Sequence, residues 1–290
     1  MIDFDFHIHS NYSSCAKQTP RQLVEKAFSS GIRTIALTDH DCIEGNAECK
    51  KICEEYEVSF INGVEMSAST DENISSVIAN TGVHILGYNI RLDYEAFDDG
   101  LKSKIERSYK RNINLVSYLN EIGYKIEICK DITEQQIKEQ LVKKQYFADK
   151  KQAKSFLASS ELAKRFPKER LSIKQTIDMI HSLGGIAVWA HPFNGENHIE
   201  FSRNQIENIL SYMIKNSLDG LEVFHSSNSP ASNMNFLLSL SKQNNIGITL
   251  GSDRHFCDDR YGQDYFSMIN ELSKIDFDYD LIKQYIVGGQ

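Results

Sequence analysis

Seven short apolar runs in this chain each carry one or two residues that can hold a metal ion. They are FDFHIH with His7 and His9, TIALTDH with His40, SFINGVE with Glu65, VHILGY with His84, IAVWAH with His191, GLEVFH with Glu222 and His225, and ITLGSDRH with Asp253 and His255. Side-chain direction repeats every two residues on extended chain, so His7 and His9 can grip one ion together, and Asp253 and His255 have the same geometry. Glu65 offers two oxygens and could bridge two ions. Imidazole mixed with carboxylate suits Zn, Mn or Fe better than Ca or Mg, which prefer all-oxygen shells. Singly, each run has an ordinary explanation. A lone HxH is weak, His84 could be a core residue, Asp39-His40 a helix cap, and His191 before Pro192 a strand end. Seven at equivalent positions predict strand ends that converge on one site. His181, inside a helix pattern, and His198, in a polar stretch, are read as structural.

Strand and helix patterns alternate around these runs. Thr19-Pro20-Arg21-Gln22 is a capping box with proline in the first helical position, and Gly31 stops the helix that follows. The next elements are a strand at Thr34 to Leu37, a charged helix from about Glu44 to Glu57, a strand ending at Glu65, a polar loop from Ser67 to Thr81, and the strand holding His84. From about Tyr94 to Arg170 the alternation stops, and this Lys-, Glu- and Gln-rich section is expected to be a helical insertion or cap. Ser172-Ile173-Lys174-Gln175, another capping box, restarts the pattern, and a last helix is expected near Leu281 to Ile286. Strands separated by helices imply parallel pairing. Polar residues at many strand ends favour a β/α barrel over an open sheet. The expected domains are a barrel from 1–93 and 171–290, interrupted by the insertion 94–170.

The 290 residues could form one large domain or two small ones, with the 41% hydrophobic and 25% charged content of an ordinary globular protein. No apolar run is long enough to span a bilayer. The start, MIDFDFHIHS, lacks the basic region of a signal peptide, so a cytoplasmic location is expected. The net charge of −8 argues against an extended nucleic-acid face. A small phosphate ester is still possible, because bound cations dominate the field in a pocket. None of the six cysteines forms a CxxC pair, and disulfides are not expected. Cys49 and Cys53 share a helix face, whereas Cys15, Cys42 and Cys257 each lie near a proposed ligand. A GxSxG elbow and a P-loop are both absent.

In the stretches HIHSNYS, IALTDHD, GVEMS, HILGYNI, GGIAVWAHP, DGLEVFHSSNS and GSDRH, in that order, the chain resembles the polymerase and histidinol phosphatase (PHP) superfamily. The resemblance is strongest to its stand-alone branch of ribonucleases and nucleotide phosphatases. It implies an α/β fold, a distorted seven-stranded (β/α) barrel of PHP type, with two or three divalent ions (Zn, Mn or Fe). One ion would take His7, His9, Glu65 and Asp253. A second would share Glu65 and add His84 and His191. A third would use His40, His255 and a residue of the loop after His9. Two adjacent cations lower the pKa of water and polarise a phosphoryl oxygen, which is the chemistry of a metal-dependent phosphoesterase. The expected substrate is a small phosphorylated molecule, such as a nucleotide or a short oligonucleotide.

Neighbouring residues have open roles. Arg254 could neutralise a substrate phosphate or form a surface salt bridge. His225 could bind phosphate, protonate the leaving oxygen or merely pack. Glu222 is expected to be structural or to support the ligands, because alternation points it to the opposite face from His225; Asp39 could orient an imidazole, and Lys17 and Asn11 are weaker substrate contacts. Arg107, Lys110 and Arg111 could turn a common face toward anions or toward solvent. Three competing functions remain: a histidinol-phosphate-type phosphatase, hydrolysis of a carbon–nitrogen bond in an amidohydrolase-like site without the usual carboxylated lysine, and a non-catalytic metal-binding barrel.

The chain departs from the family pattern in the first loop. Where the closest branch has an aspartate, Ser14 stands here, with Cys15 one residue further on. Either the Cys15 thiolate supplies the missing ligand, which would favour Zn, or the third site lacks it. Metal counting decides between them: Cys15→Ala should lower the stoichiometry by one ion, and an unchanged count rejects the thiolate.

Overall fold

A computed structural model of the chain describes residues 2–13, 16–70, 74, 81–196, 199–255, 275 and 277–288. Ser14, Cys15, His198, Cys257 and most of the tail after Gly262 lie outside the described residues. The chain divides into two compact units, Met1–Phe97 with Ser172–Gln290, and Asp98–Leu171. Among the described residues, no helix is long and apolar enough to cross a membrane.

The first unit opens with β1 (Phe4–Ile8), buried along its whole length. Phe4, Phe6 and Ile8 enter the core on one side, which leaves Asp5 and His7 for the other. The helix α1 (Pro20–Ser29) begins at the expected capping box, in which the Thr19 side chain accepts from Gln22 N–H and the Gln22 side chain accepts from Thr19 N–H. Gly31, at φ +86°, turns the chain back toward β2 (Thr34–Leu37). There follow α2 (Gly45–Glu55), β3 (Ser59–Ser69) and β4 (Gly82–Tyr88). After the helical section come β5 (Leu171–Ser172), α7 (Ile173–Ser182), β6 (Ile186–Trp189), and the two short strands β7 (Asn194–Gly195) and β8 (Ile199–Glu200). The unit ends with α8 (Arg203–Lys215), β9 (Gly220–Phe224), α9 (Ala231–Asn244), β10 (Gly247–Leu250) and α10 (Asp280–Val287).

The principal sheet runs β1-β2-β3-β4-β6-β9-β10. It is mixed rather than parallel throughout. β1, β2 and β3 are parallel, as are β6, β9 and β10, but β4 is antiparallel to both β3 and β6. The expected loop from Ser67 starts too early, because β3 continues past Glu65 and pairs Ser67, Ala68 and Ser69 with β4. A short polar return lets β4 double back, and doubling back makes it antiparallel. His84, near the amino end of β4, therefore lies among the carboxyl ends of the other strands. β1 and β10 do not pair as strands among the described residues, so the sheet is an open path. Beyond β10 the chain nevertheless returns to β1. Asp253 N–H donates to His7 O (2.8 Å), and His9 N–H donates to Arg254 O (3.1 Å).

The second unit contains most of α3 (Tyr94–Glu121), then α4 (Glu134–Lys143), α5 (Lys150–Leu157) and α6 (Ser160–Arg165). It has its own core, in which Leu119, Ile137, Leu141 and Leu157 are buried with Tyr124 and Phe156 packed against them. Two of the three basic residues considered for anion contact are structural here. Arg111 bonds Glu134 (2.9 Å) and the Phe166 carbonyl, and Arg107 bonds Glu169 (2.9 Å) and the Arg170 carbonyl.

One buried amide ties α2 to β3. Asn46 donates to the carbonyls of Ile43 and Gly63, and accepts from Gly63 N–H (2.9 Å). Asn46→Ala leaves those backbone groups unpaired and should lower the unfolding free energy by about 1–3 kcal/mol. Urea denaturation reads this, and an unchanged midpoint would mean the bonds add nothing net.

Candidate metal centre

Glu65 lies in mid-β3 with no solvent exposure and faces five imidazoles. Its Oε2 is 3.3 Å from His7 Nε2, 3.2 Å from His9 Nε2 and 3.1 Å from His40 Nδ1. Its Oε1 is 2.9 Å from His84 Nδ1 and 3.1 Å from His191 Nε2. Asp253 approaches from the far end of the chain, its Oδ1 3.1 Å from His9 Nε2 and 3.5 Å from His7 Nε2. His255 stacks on His9 at 4.4 Å between ring centroids.

Three overlapping groups of ligand atoms lie within 4.8 Å of one another: His7, His9, Glu65 and Asp253; His40, Glu65 and His84; and His9, His40 and His255. Many of these atoms are close without being hydrogen-bonded. His7 Nε2, both ring nitrogens of His9, His40 Nδ1, Glu65 Oε2 and Asp253 Oδ1 are buried and make no aligned hydrogen bond. Buried polar atoms are otherwise paired almost without exception. Lone pairs that converge without pairing fit divalent cations, and the N and O donor set fits Zn, Mn or Fe.

Hydrogen bonds choose which nitrogen each ring presents. His7 Nδ1 is 2.9 Å from Glu222 Oε1, His191 Nδ1 is 2.8 Å from the Asn194 carbonyl, and His255 Nδ1 is 2.7 Å from the Asp253 carbonyl. Each partner can only accept, so Nδ1 carries the proton and Nε2 carries the lone pair. His225 is the reverse. Its Nδ1 accepts from Ser227 N–H (3.1 Å), so the proton is on Nε2. That Nε2 has no hydrogen-bond partner and lies 3.8 Å from Asp253 Oδ2.

In the cation-free protein Glu222, Glu65 and Asp253 raise His7, and Asp253 and Glu65 raise His9, against burial, so protons occupy ring nitrogens that a cation would take. Burial opposes ionisation of Glu65, but the cationic rings of His84 and His7 hold its carboxyl well below the usual range. Asp253 is likewise held down against burial, chiefly by His7 and His9. Burial lowers His40 to about 3 and His225 to about 4, so both rings are neutral. His84 is raised to about 10, because the charges of Glu65 and Glu196 outweigh its burial. A cation at Glu65 would replace that proton.

Of the residues expected to serve the site, His7, His9, His40, Glu65, His84, His191, Asp253 and His255 come together, with His225 beside them. Lys17 is exposed, and Cys15 lies outside the described residues. Arg254 is buried, and its Nε donates to Gln18 Oε1 (3.2 Å). Asp39 bonds no imidazole. It accepts from Ser10 N–H, Ser10 Oγ and Ser13 Oγ and so braces the loop after β1, while Ser13 Oγ accepts from His40 N–H. Glu222 has the expected supporting role but not the expected direction. Its Oε1 holds His7, and its Oε2 accepts from His191 N–H (2.8 Å). A register shift between the pairs Thr249–Glu222 and Leu250–Phe224 puts an extra residue into β9. Such a bulge breaks the alternation, so residues three apart can face the same way.

Gly251 and two strained residues complete the frame. A Cβ on Gly251 would fall 2.1 Å from His7 Cβ and 2.7 Å from Glu222 Oε1, so only glycine fits there. His191 has φ +31° and Asp253 has φ +52°, both in the left-handed region. Strain of this kind costs about 1–3 kcal/mol and collects at functional sites.

The chain belongs to the PHP domain family, which it matches over residues 5–223. It is 28% identical to the 5'-3' exoribonuclease Rnm of Salmonella typhimurium, over 88% of this chain and 85% of that one. It is 33% identical to a 3',5'-nucleoside bisphosphate phosphatase of Chromobacterium violaceum, over 42% of this chain and 40% of that one. A solved structure from Bifidobacterium adolescentis, described by inference as a metal-dependent phosphoesterase, superposes with a TM-score of 0.66. It is 26% identical and covers 87% of each chain.

Glu222→Gln tests the frame. A glutamine oxygen can serve His7 Nδ1–H or His191 N–H, but not both. Metal affinity, read by competition with a chelating dye, should fall about 10–100-fold with the fold retained by circular dichroism. Unaltered affinity would show that the carboxylate does not position the ligands.

Proposed function

We propose that this protein hydrolyses phosphate esters of nucleotides or short oligoribonucleotides at the cation cluster built on Glu65. As a PHP family member it is a hydrolytic, metal-dependent phosphoesterase. The observation that carries the reading is the set of buried, unpaired nitrogens and oxygens that converge from both ends of the chain. In this reading His7, His9, Glu65 and Asp253 hold one ion, and Glu65, His84 and His191 a second. His40 and His255 hold a third, with Cys15 the proposed additional ligand. Bound divalent cations polarise phosphoryl oxygens and make hydroxide available near neutral pH.

The chain's own residues supply the rest. Glu222 and the carbonyls of Asn194 and Asp253 hold ring protons away from the centre, so His7, His191 and His255 present bare Nε2 atoms. His225 is neutral with its proton on Nε2, which suits it to donate a hydrogen bond to a phosphoryl oxygen rather than to act as a general acid near pH 7. Arg254 is the proposed phosphate-neutralising residue and Lys17 a proposed substrate contact. Likeness to exoribonucleases over most of the chain favours a substrate attacked from the 5' end. Likeness to a nucleoside bisphosphate phosphatase over the shorter stretch supports a small-molecule alternative.

The sheet is best read as a distorted seven-stranded barrel of PHP type. The hydrogen bonds from Asp253 N–H to His7 O and from His9 N–H to Arg254 O support that closure. Residues 94–170 are then an insertion into it.

Exhaustive chelation should abolish hydrolysis of 5'-phosphorylated oligoribonucleotides and of nucleoside 3',5'-bisphosphates, and Mn or Zn should restore it. Glu65→Gln should cost more than about 100-fold in kcat/KM, above the loss typical of an outer-shell partner. Turnover that survives metal removal would refute the proposal.

A further inference from the structure

The net charge of −8 conceals a division between the two units. Residues 98–171 hold 17 Lys and Arg against 11 Asp and Glu, a net +6, so the remainder of the chain is at −14. Part of the excess is neutralised within the helical unit: Arg107 pairs with Glu169, Arg111 with Glu134, Lys144 with Glu127 and Lys150 with Glu139. Lys138, Lys154 and Lys168 form no ion pair among the described residues. They stand on α4, on α5 and on the segment after α6.

Lys138 is the centre of this group. It is half-buried, and burial lowers its pKa. Glu134, one turn before it, is bonded to Arg111, which also holds the Phe166 carbonyl two residues ahead of Lys168, and Glu139, next to it, is bonded to Lys150 at the start of α5 (2.9 Å). Glu134 opposes the shift, while Lys168, Lys154 and Lys150 reinforce it. A half-buried ammonium among like charges is unfavourable by itself, and a polyanion reaching all four relieves the repulsion. Lysines contact phosphates as point charges and carry no sequence preference. Four ammoniums on three segments exceed what one phosphate needs.

We propose that Lys138, Lys150, Lys154 and Lys168 form a binding surface for the sugar-phosphate backbone of a single-stranded oligoribonucleotide, separate from the metal centre. This rests on the nucleotide-directed reading above. The surface holds the strand without regard to sequence, and it adds affinity for oligomers that a mononucleotide cannot use.

The test uses the full chain carrying Lys138→Gln, Lys154→Gln and Lys168→Gln together. A control carries Lys50→Gln, Lys51→Gln and Lys242→Gln, which removes equal charge from exposed positions in the acidic unit. Fluorescence anisotropy measures binding of a labelled, cleavage-resistant phosphorothioate oligoribonucleotide across a salt series. Loss of three phosphate contacts should weaken binding about 10-fold and flatten the log–log salt slope by about 2. Hydrolysis of a small chromogenic phosphate ester should be unchanged, and the control should behave as wild type. Equal affinity and slope in all three proteins would overturn the surface. So would a wild type that turns over the small ester but does not bind the oligomer, which leaves the functional reading intact. A wild type that hydrolyses no phosphate ester with metals supplied would reject the functional reading, and the surface with it.

Discussion

A carboxylate out of reach of water governs this fold. Glu65 is fully buried, and an isolated carboxylate there would cost several kcal/mol or take up a proton. It remains ionised because imidazoles from β1, the end of β2, β4 and the end of β6 surround its two oxygens. The two oxygens face different histidines. The length of β3 and the reversal of β4 follow from this requirement. β3 must extend past its parallel partner to bring Glu65 into the centre, and β4 must run backward to bring His84 there from its amino end.

Around that carboxylate the structure accepts local costs that an ordinary core would avoid. Extra residues interrupt the registers of β1 and β9, and His191 and Asp253 adopt left-handed backbone. Glu222 limits the consequences. It locks the His7 ring and the His191 N–H with one carboxylate, and the bare Cα of Gly251 lets it approach. Ligand geometry thus depends on residues that would touch no ion. Substituting them should alter metal affinity before it alters the fold, because the surrounding strands are held by their own ladders and by buried residues such as Phe6 and Leu86.

Local signals were legible in the sequence, and register was not. The capping boxes at Thr19 and Ser172, the strand Thr34–Leu37 and the run of ligand-type residues follow from side-chain chemistry and spacing. The reversal of β4 did not, because a polar segment before a strand is equally consistent with a crossover or a return. The direction of Glu222 is hidden for a related reason. Strict alternation is the only rule available without coordinates, and no residue type announces a bulge. Asp5 went unremarked between two phenylalanines, although it accepts from both His7 N–H and Ser252 N–H beneath the centre. Asp39 was noticed for its neighbour His40, but its bonds run to serines in a different loop.

Charge shows the same limit of whole-chain numbers. A total of −8 describes neither unit, since one stands at +6 and the other at −14. An acidic unit repels a phosphate strand, and cations at a buried centre offset that only within a screening distance of about 8 Å at physiological salt. The phosphate being attacked lies inside that distance. Phosphates several nucleotides away do not, and meet the acidic surface unscreened by the centre. An enzyme limited to mononucleotides has no need to attract them. One that takes oligomers gains from positive charge elsewhere on the chain, and the helical unit carries it on Lys138, Lys154 and Lys168, which form no ion pair among the described residues, beside Lys150, which pairs with Glu139. Chemistry and strand-holding then fall to different residues, so each can be weakened without the other.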